Sequence, residues 1–187
     1  MPFLMQISRL IDRVNTLVGQ AVYWLILAAV LVSSINATIR YGFHRSSNSW
    51  LELQWYLFAA VFLLCAGYTL LHNEHIRIDV FSSHLSRRKQ IWIDIFGTIF
   101  FLLPFTIVIM YLSWPLAVGS IISNEQSSDA GGLVRWPARL LVPVGFFLLV
   151  IQAFSELIKR VAYLTGDGPD PLEKKSGHGG HPDGEHV

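Results

Sequence analysis

The sequence predicts an all-α integral membrane protein with four membrane-spanning helices. Hydrophobic residues make up 52% of its 187 residues and charged residues only 14%, and the mean hydropathy is +0.46. An ordinary soluble domain is less apolar and carries more charge. Four apolar runs are each long enough, at about 1.5 Å per residue, to cross a hydrocarbon core of about 30 Å. They are residues 18–39, 50–71, 91–112 and 137–157.

The second apolar run, residues 50–71, carries the clearest signals, and we expect the other spans to gather around it. Glu52 and Trp55 lie near its start. Small residues recur seven positions apart and form a stripe along one side, namely Ala59 with Ala66 and Ala60 with Gly67. Because small side chains let a second helix approach closely, the stripe predicts a helix contact. The alternative is that Gly67 faces lipid.

The N-terminal residues predict an amphipathic helix that leads directly into the first span. Its apolar residues fall at alternating steps of three and four, and they are Leu4, Ile7, Ile11, Val14 and Val18. Arg9, Asp12 and Arg13 lie on the remaining faces. Such a helix can lie in the membrane interface with its arginines toward the lipid headgroups. A cleaved signal peptide is disfavoured, because the apolar run is longer than about 7 to 15 residues and further spans follow.

The third and fourth apolar runs each contain a helix-perturbing proline. Asp94 lies near the start of the third run and Pro104 in its middle, where we expect a kink. The fourth run carries Pro143 and Gly145 in its first half. Between the second and third runs, Asp79 is placed to cap another short amphipathic helix at the interface.

The end of the chain has a different composition from the rest. Residues 166–187 contain almost no apolar side chain, so we predict a disordered cytoplasmic tail behind a membrane domain of residues 1–165. The tail contains histidines, but a glycine-rich flexible segment has no preorganised metal geometry. The single cysteine, Cys65, cannot form a disulfide within the chain.

The basic residues predict the orientation in the membrane. Four spans place both termini on the same side. With the N-terminus in the cytoplasm, ten of the 14 lysines and arginines lie inside and four outside. By the positive-inside rule we therefore predict that both termini are cytoplasmic.

The positions of the polar residues argue against several functional classes. A haem-carrying anchor needs histidines at matching depths in facing spans, and the histidines here lie outside the predicted spans. A small proton-coupled exporter needs a carboxylate deep in the bundle, whereas Glu52 and Asp94 lie within about a turn of a span boundary. We expect no buried charge, cofactor, metal or nucleic-acid partner, and no enzymatic activity.

Two explanations remain open for Glu52 and Asp94. Either each carboxylate lies at a helix N-terminus, where negative charge complements the helix dipole, or each makes a polar contact between subunits.

A polar cluster follows the second span directly and comprises Glu74, His75, Arg77 and Asp79. It can be a solvated loop in which Arg77 reaches toward lipid phosphates. However, apolar residues alternate with the polar ones, so full solvation would expose them. The alternative is that Arg77 and Asp79 are buried as a pair and fix the turn after the second span.

The order of these features resembles the DctQ family, the small membrane subunits of tripartite ATP-independent periplasmic (TRAP) transporters. The resemblance rests on a glutamate opening the second span, small residues behind it, the motif N-E-H-I-R-I-D-V-F from Asn73, a basic stretch, and an aspartate at the head of the third span. It covers roughly residues 10–160. His75, Arg77 and Asp79 are its most specific part, and the region of Pro143 and Gly145 is a weaker one.

The resemblance implies a non-catalytic subunit in the bacterial inner membrane, in contact with lipids and with two protein partners. One partner is a large membrane subunit that carries the substrate and sodium sites and moves as an elevator. The other is a periplasmic binding protein that delivers an organic anion, usually a carboxylate. The small subunit would act as a scaffold. A membrane anchor or assembly subunit of another complex, such as a respiratory enzyme, is the alternative.

Overall fold

The computed structural model describes residues 2–44, 47–72, 86–166 and 168, and its regular elements there are long helices. They are α1 (Pro2–Gly42), α2 (Asn48–Leu71), α3 (Arg87–Ile122) and α4 (Trp136–Leu164). Each is long and apolar enough to cross a membrane. The predicted all-α class with four spans is therefore confirmed, while the orientation stays a prediction.

The first helix is continuous, so the predicted amphipathic segment is the first part of α1 and not a separate interfacial helix. Its buried positions include a row that recurs every seven residues, namely Ser8, Asn15, Val22, Ala29 and Asn36. Close approach of neighbouring helices favours such small or short side chains. The apolar residues Leu4, Ile7 and Val14 instead lie on the exposed side of the helix.

The third helix contains a π-helical turn, Thr98–Leu102, between the α-helical parts Arg87–Gly97 and Leu103–Ile122. The wide turn directly precedes Pro104, which has no backbone N–H and whose ring would crowd the carbonyl four residues earlier. The N–H of Leu103 instead bonds to the carbonyl of Thr98, five residues back. The perturbation predicted at Pro104 is thus absorbed as a wide turn, and the helix continues to Ile122.

The last helix is the centre of the bundle, since α4 packs against each of the other three helices. Of its apolar segment 44% is buried, against 11–22% for the other three helices. The expectation that the second span organises the others is therefore wrong. The reason lies in the side chains of α4, whose small and polar residues, such as Gly145, Ala153 and Ser155, are buried along its length.

The ends of the helices also differ from the predicted spans. Helix α4 continues past residue 157 to Leu164, and α3 begins at Arg87, ahead of its apolar run. The predicted second amphipathic helix, the polar cluster from Glu74 to Asp79 and the tail beyond Gly168 lie outside the described residues. The division into a membrane domain and a disordered tail stays a prediction.

Candidate functional site: a charge cluster and an anchored loop

A cluster of charged and amide side chains joins three helices at one end of the bundle. This charge cluster consists of Asp12 on α1, Asp94 on α3, and Gln152, Glu156, Lys159 and Arg160 on α4. Glu156 and Arg160 are each only 2% exposed, and Gln152 is fully buried. The expectation of a bundle without buried charge is therefore wrong.

Asp12 connects α1 to α4. Its Oδ1 accepts hydrogen bonds from Gln152 Nε2 at 2.9 Å and from Ser155 Oγ at 2.8 Å, and Lys159 Nζ lies 3.0 Å from Oδ2. Two further bonds continue the contact along α1: Asn15 Nδ2 donates to Gln152 Oε1 at 2.9 Å, and the Ser8 and Ser155 hydroxyl oxygens are 2.7 Å apart. A carboxylate has about four lone-pair sites, so these donors occupy most of the capacity of Asp12.

Arg160 connects α4 to α3. Its Nη1 donates to Glu156 Oε2 at 3.1 Å, one helical turn away, and its Nε lies 3.4 Å from Asp94 Oδ2. Lys159 approaches the other oxygen of Glu156. Each buried charge thus faces an opposite charge, which is the condition under which ions are tolerated away from water. Since Glu156 is held between two cations, the arrangement suits fixing helices together better than carrying a proton.

The helix-dipole explanation for Asp94 is wrong, because α3 begins at Arg87 and Asp94 lies about two turns inside the helix. The dipole effect fades within the first turn. For Glu52 the same explanation is weakened, since the first turn of α2 contains no acidic residue. Both carboxylates make polar contacts within this chain, which neither explanation anticipated.

Glu52 anchors the loop between α3 and α4, residues 123–135, onto the start of α2; we call it the anchored loop. Its Oε2 accepts a hydrogen bond from the Leu133 backbone N–H at 2.6 Å, and its Oε1 accepts one from Ser127 Oγ. Tyr56 adds a hydrogen bond from its hydroxyl to the Val134 carbonyl at 3.3 Å, one turn further along α2. The loop itself is closed by an isolated β-bridge between Gln126 and Val134.

Further contacts hold both sides of this loop. Asn48 Nδ2 donates to the Ala130 carbonyl at 3.0 Å, and Ser49 donates to the carbonyl of Gly131, which has a φ of 73°. Glu125 pairs with Arg139 on the first turns of α4 at 2.7 Å. The loop is therefore fixed to α2 and α4 at this end of the bundle.

The small residues of α2 face two different neighbours. A β-carbon on Gly67 would lie 3.0 Å from Asn15 Cγ of α1 and 3.2 Å from the Leu148 carbonyl oxygen of α4. Ala60 is buried on the same stripe, whereas Ala59 and Ala66 are half-buried. Gly67 thus lies at the junction of three helices within this chain.

Gly145 makes the reciprocal contact from α4. A β-carbon there would lie 2.7 Å from the Leu63 carbonyl oxygen, so the backbones of α4 and α2 are in direct contact. Pro143, two residues earlier on α4, is also buried. Trp55, by contrast, is 73% exposed on α2, where an aromatic residue near a span end can face lipid headgroups or a partner.

Some candidates from the sequence are not placed. Glu74, His75, Arg77 and Asp79 lie outside the described residues. Within the described ranges no group of three histidine, cysteine or acidic side chains is suited to hold a metal ion.

The spacing of polar residues in the sequence indicates the charge cluster, although the overall composition does not. Ser8, Asp12 and Asn15 recur at steps of four and three, and so do Gln152, Ser155 and Lys159. Such spacing puts each set on one face of its helix. Two polar faces on apolar helices predict that the helices pair through them, which is what α1 and α4 do.

Comparison with known proteins assigns this chain to a family. No curated protein and no solved structure matches the chain. The family model described as "Tripartite ATP-independent periplasmic transporters, DctQ component" matches residues 29–162. The matched region includes α2, α3, the anchored loop and all of the charge cluster except Asp12. This multi-pass, four-helix membrane protein therefore belongs to the DctQ family, the small component of TRAP transporters.

Proposed function

We propose that this chain is the non-catalytic scaffold of a TRAP transporter in a bacterial inner membrane. It would hold an elevator-type large membrane subunit in place while that subunit imports an organic anion, of the carboxylate class, using a sodium gradient. A periplasmic binding protein would deliver the anion. The observation that carries the proposal is the family match together with the way in which the charge cluster ties α1, α3 and α4 into one unit.

The charge cluster supports a stationary role. Sliding or tilting α1 or α3 against α4 would separate Asp12 from Lys159 or Asp94 from Arg160. These pairs are partly buried, so the cost of separating each lies between the roughly 0–1 kcal/mol of an exposed pair and the roughly 3–5 kcal/mol of a buried one, and such motions are opposed. A bundle of this kind is suited to be the fixed reference against which a partner moves.

The two ends of the bundle would then serve different partners. We propose that the anchored loop, with Glu52 beneath it, contributes to the surface that meets the binding protein outside the cell. At the opposite end, the polar cluster Glu74, His75, Arg77 and Asp79 would fix the turn after α2 and shape the surface offered to the large subunit. Trp55 would lie at the headgroup level on the outer face of the inner membrane.

The test is a reconstitution with and without this chain. An affinity tag on the chain should recover a large multi-span protein from detergent extracts. Proteoliposomes that contain both membrane subunits and receive the binding protein should take up a carboxylate from a labelled panel only under an inward sodium gradient. Leaving out this chain should abolish uptake.

Two results would contradict the proposal. Uptake at an unchanged rate without this chain would remove the scaffold role. Recovery of a haem- or flavin-containing complex instead of a transporter subunit would favour an anchor of a respiratory enzyme.

A further inference from the structure

An ordered apolar seam on α1 remains uncovered by the bundle. This α1 seam consists of Phe3, Ile7, Leu10, Val14, Leu17 and Trp24. Their exposed fractions run from 36% for Ile7 to 73% for Trp24. The side of α1 that contacts α2 and α4 is a different one, the row of Ser8, Asn15 and Val22.

The spacing of the α1 seam is that of a helix-packing surface. Successive members are four and three residues apart, and Ala21 occupies the small position between Leu17 and Trp24. This is the heptad pattern by which one helix inserts side chains between those of another. β-branched or small residues (Ile7, Val14, Ala21) alternate with larger ones, as on the two core positions of a coiled coil. A surface that only meets lipid needs to be apolar but needs no such register.

The α1 seam also extends beyond the part of the helix that lipid tails can cover. Helix α1 has 41 residues, and at about 1.5 Å each it is roughly twice as long as a hydrocarbon core of about 30 Å. Asp12 and Lys159 mark one end of the apolar region of the bundle. Phe3, Ile7 and Leu10 lie beyond them, where solvent or headgroups would otherwise meet exposed apolar side chains.

Charge next to the α1 seam defines the partner further. Arg9 and Arg13 are exposed one turn apart beside Leu10. Arg13 occupies the position that flanks the core of this heptad pattern, whereas Arg9 lies further round the helix, so a partner helix that covers the α1 seam would place an acidic side chain next to Arg13. The fitting occupant is a long apolar helix with an acidic residue at the level of Arg13.

We propose that the α1 seam is the surface on which a helix of the large membrane subunit packs. The inference rests on the proposed function, which supplies a multi-span partner, and adds the face and the chemistry of the contact. Residues 3–24 carry it, and all of them precede the region that the family model matches.

The test uses the complete complex in intact cells. A photo-crosslinking amino acid is placed at Leu10, at Leu17 and, as a control, at Phe62, an apolar residue of α2 that is 79% exposed. The seam positions should give an adduct with the mass of both subunits, and mass spectrometry should map it to one apolar helix of the large subunit. Leu10→Ala with Leu17→Ala should lower co-purification of the large subunit by about tenfold or more, whereas Phe62→Ala should leave it unchanged.

The outcomes separate the α1 seam from the proposed function. Three results would overturn the proposed seam contact even if the tagged chain still recovers the large subunit. They are adducts with lipid alone at Leu10 and Leu17, adducts between two copies of this chain, and adducts from Phe62 equal to those from the seam positions. If the unmodified tagged chain recovers no large subunit, the proposed function itself fails.

Discussion

Gly67 of α2 lies directly against the side-chain amide of Asn15 of α1, at a point where the Leu148 carbonyl of α4 also approaches. A β-carbon at residue 67 would lie 3.0 Å from Asn15 Cγ and 3.2 Å from that carbonyl oxygen. Asn15 in turn donates to Gln152, at the edge of the charge cluster. The close helix packing around Gly67 and the polar contacts of the charge cluster therefore lie next to each other in the bundle.

Adding bulk at this point should weaken the bundle. Gly67→Leu would force α2 away from α1 and α4, and overpacking of this kind costs about 1–3 kcal/mol or more. Gly97→Leu is the matched control, since a β-carbon at Gly97 on α3 meets nothing within 4 Å. Thermal unfolding in detergent should show a lower midpoint for the first variant and an unchanged one for the second. Equal midpoints would mean that α2 does not pack there.

Removing the buried cation of the charge cluster should destabilise the fold strongly. Arg160→Ala leaves Glu156 and Asp94 without one of their partners, at a cost of about 3–5 kcal/mol for a buried pair. Arg88→Ala, an exposed arginine of α3, should cost little. The measurement is again unfolding in detergent. In the double variant with Glu156→Ala the two losses should be less than additive, and strict additivity would argue against the ion pair.

Glu52→Ala should release the anchored loop without unfolding the bundle, because the carboxylate is the acceptor for the Leu133 N–H. Hydrogen–deuterium exchange followed by mass spectrometry should show faster exchange of residues 125–135. Asp129→Ala provides the control, since this aspartate is exposed in the same loop. If both variants exchange alike, Glu52 does not hold the loop.

The predicted orientation can be tested at two exposed serines, Ser86 before α3 and Ser128 in the loop after it. Each is replaced by cysteine in a Cys65→Ser background. An impermeant thiol reagent should label the Ser128→Cys protein in intact cells and the Ser86→Cys protein only after permeabilisation. The reverse pattern would place both termini outside.

The polar cluster after α2 makes a prediction from the sequence alone. If Arg77 and Asp79 form a buried pair, Arg77→Ala or Asp79→Ala should each lower uptake and recovery of the large subunit, with the chain still inserted in the membrane. Exposed pairs are worth about 0–1 kcal/mol, so a solvated loop would tolerate both changes. Transport-competent complexes from both variants would leave only the contact of Arg77 with lipid phosphates.

The sequence predicted the number and type of the elements because hydropathy over about 20 residues is a strong, local signal. It did not predict which helix is central, because that depends on which faces meet. The small stripe of α2 drew attention to Gly67, but Gly145 and Ser155 make α4 the helix that contacts all the others.

The charge cluster was missed for a related reason. Lys159 and Arg160 follow the predicted fourth span, residues 137–157, and basic residues in such a position commonly reach toward headgroups. In the structure they point to carboxylates on α1 and α3, partners more than 60 residues away in the chain. Periodicity on one helix cannot identify such a partner, although the matching polar faces of α1 and α4 hinted at it.

The wide turn in α3 sets the rotational phase between the two halves of that helix. Ile95 and Leu103 are both buried, yet they are eight residues apart, a step that would leave them about 80° apart around an uninterrupted α-helix. One extra residue taken up at Thr98–Leu102 brings them back to the same side. The helix thus accommodates one inserted residue as a single wide turn. Loss of one residue there would leave Asp94 and Ser120 on their present faces, whereas a deletion elsewhere in α3 would rotate one half of the helix away from α4.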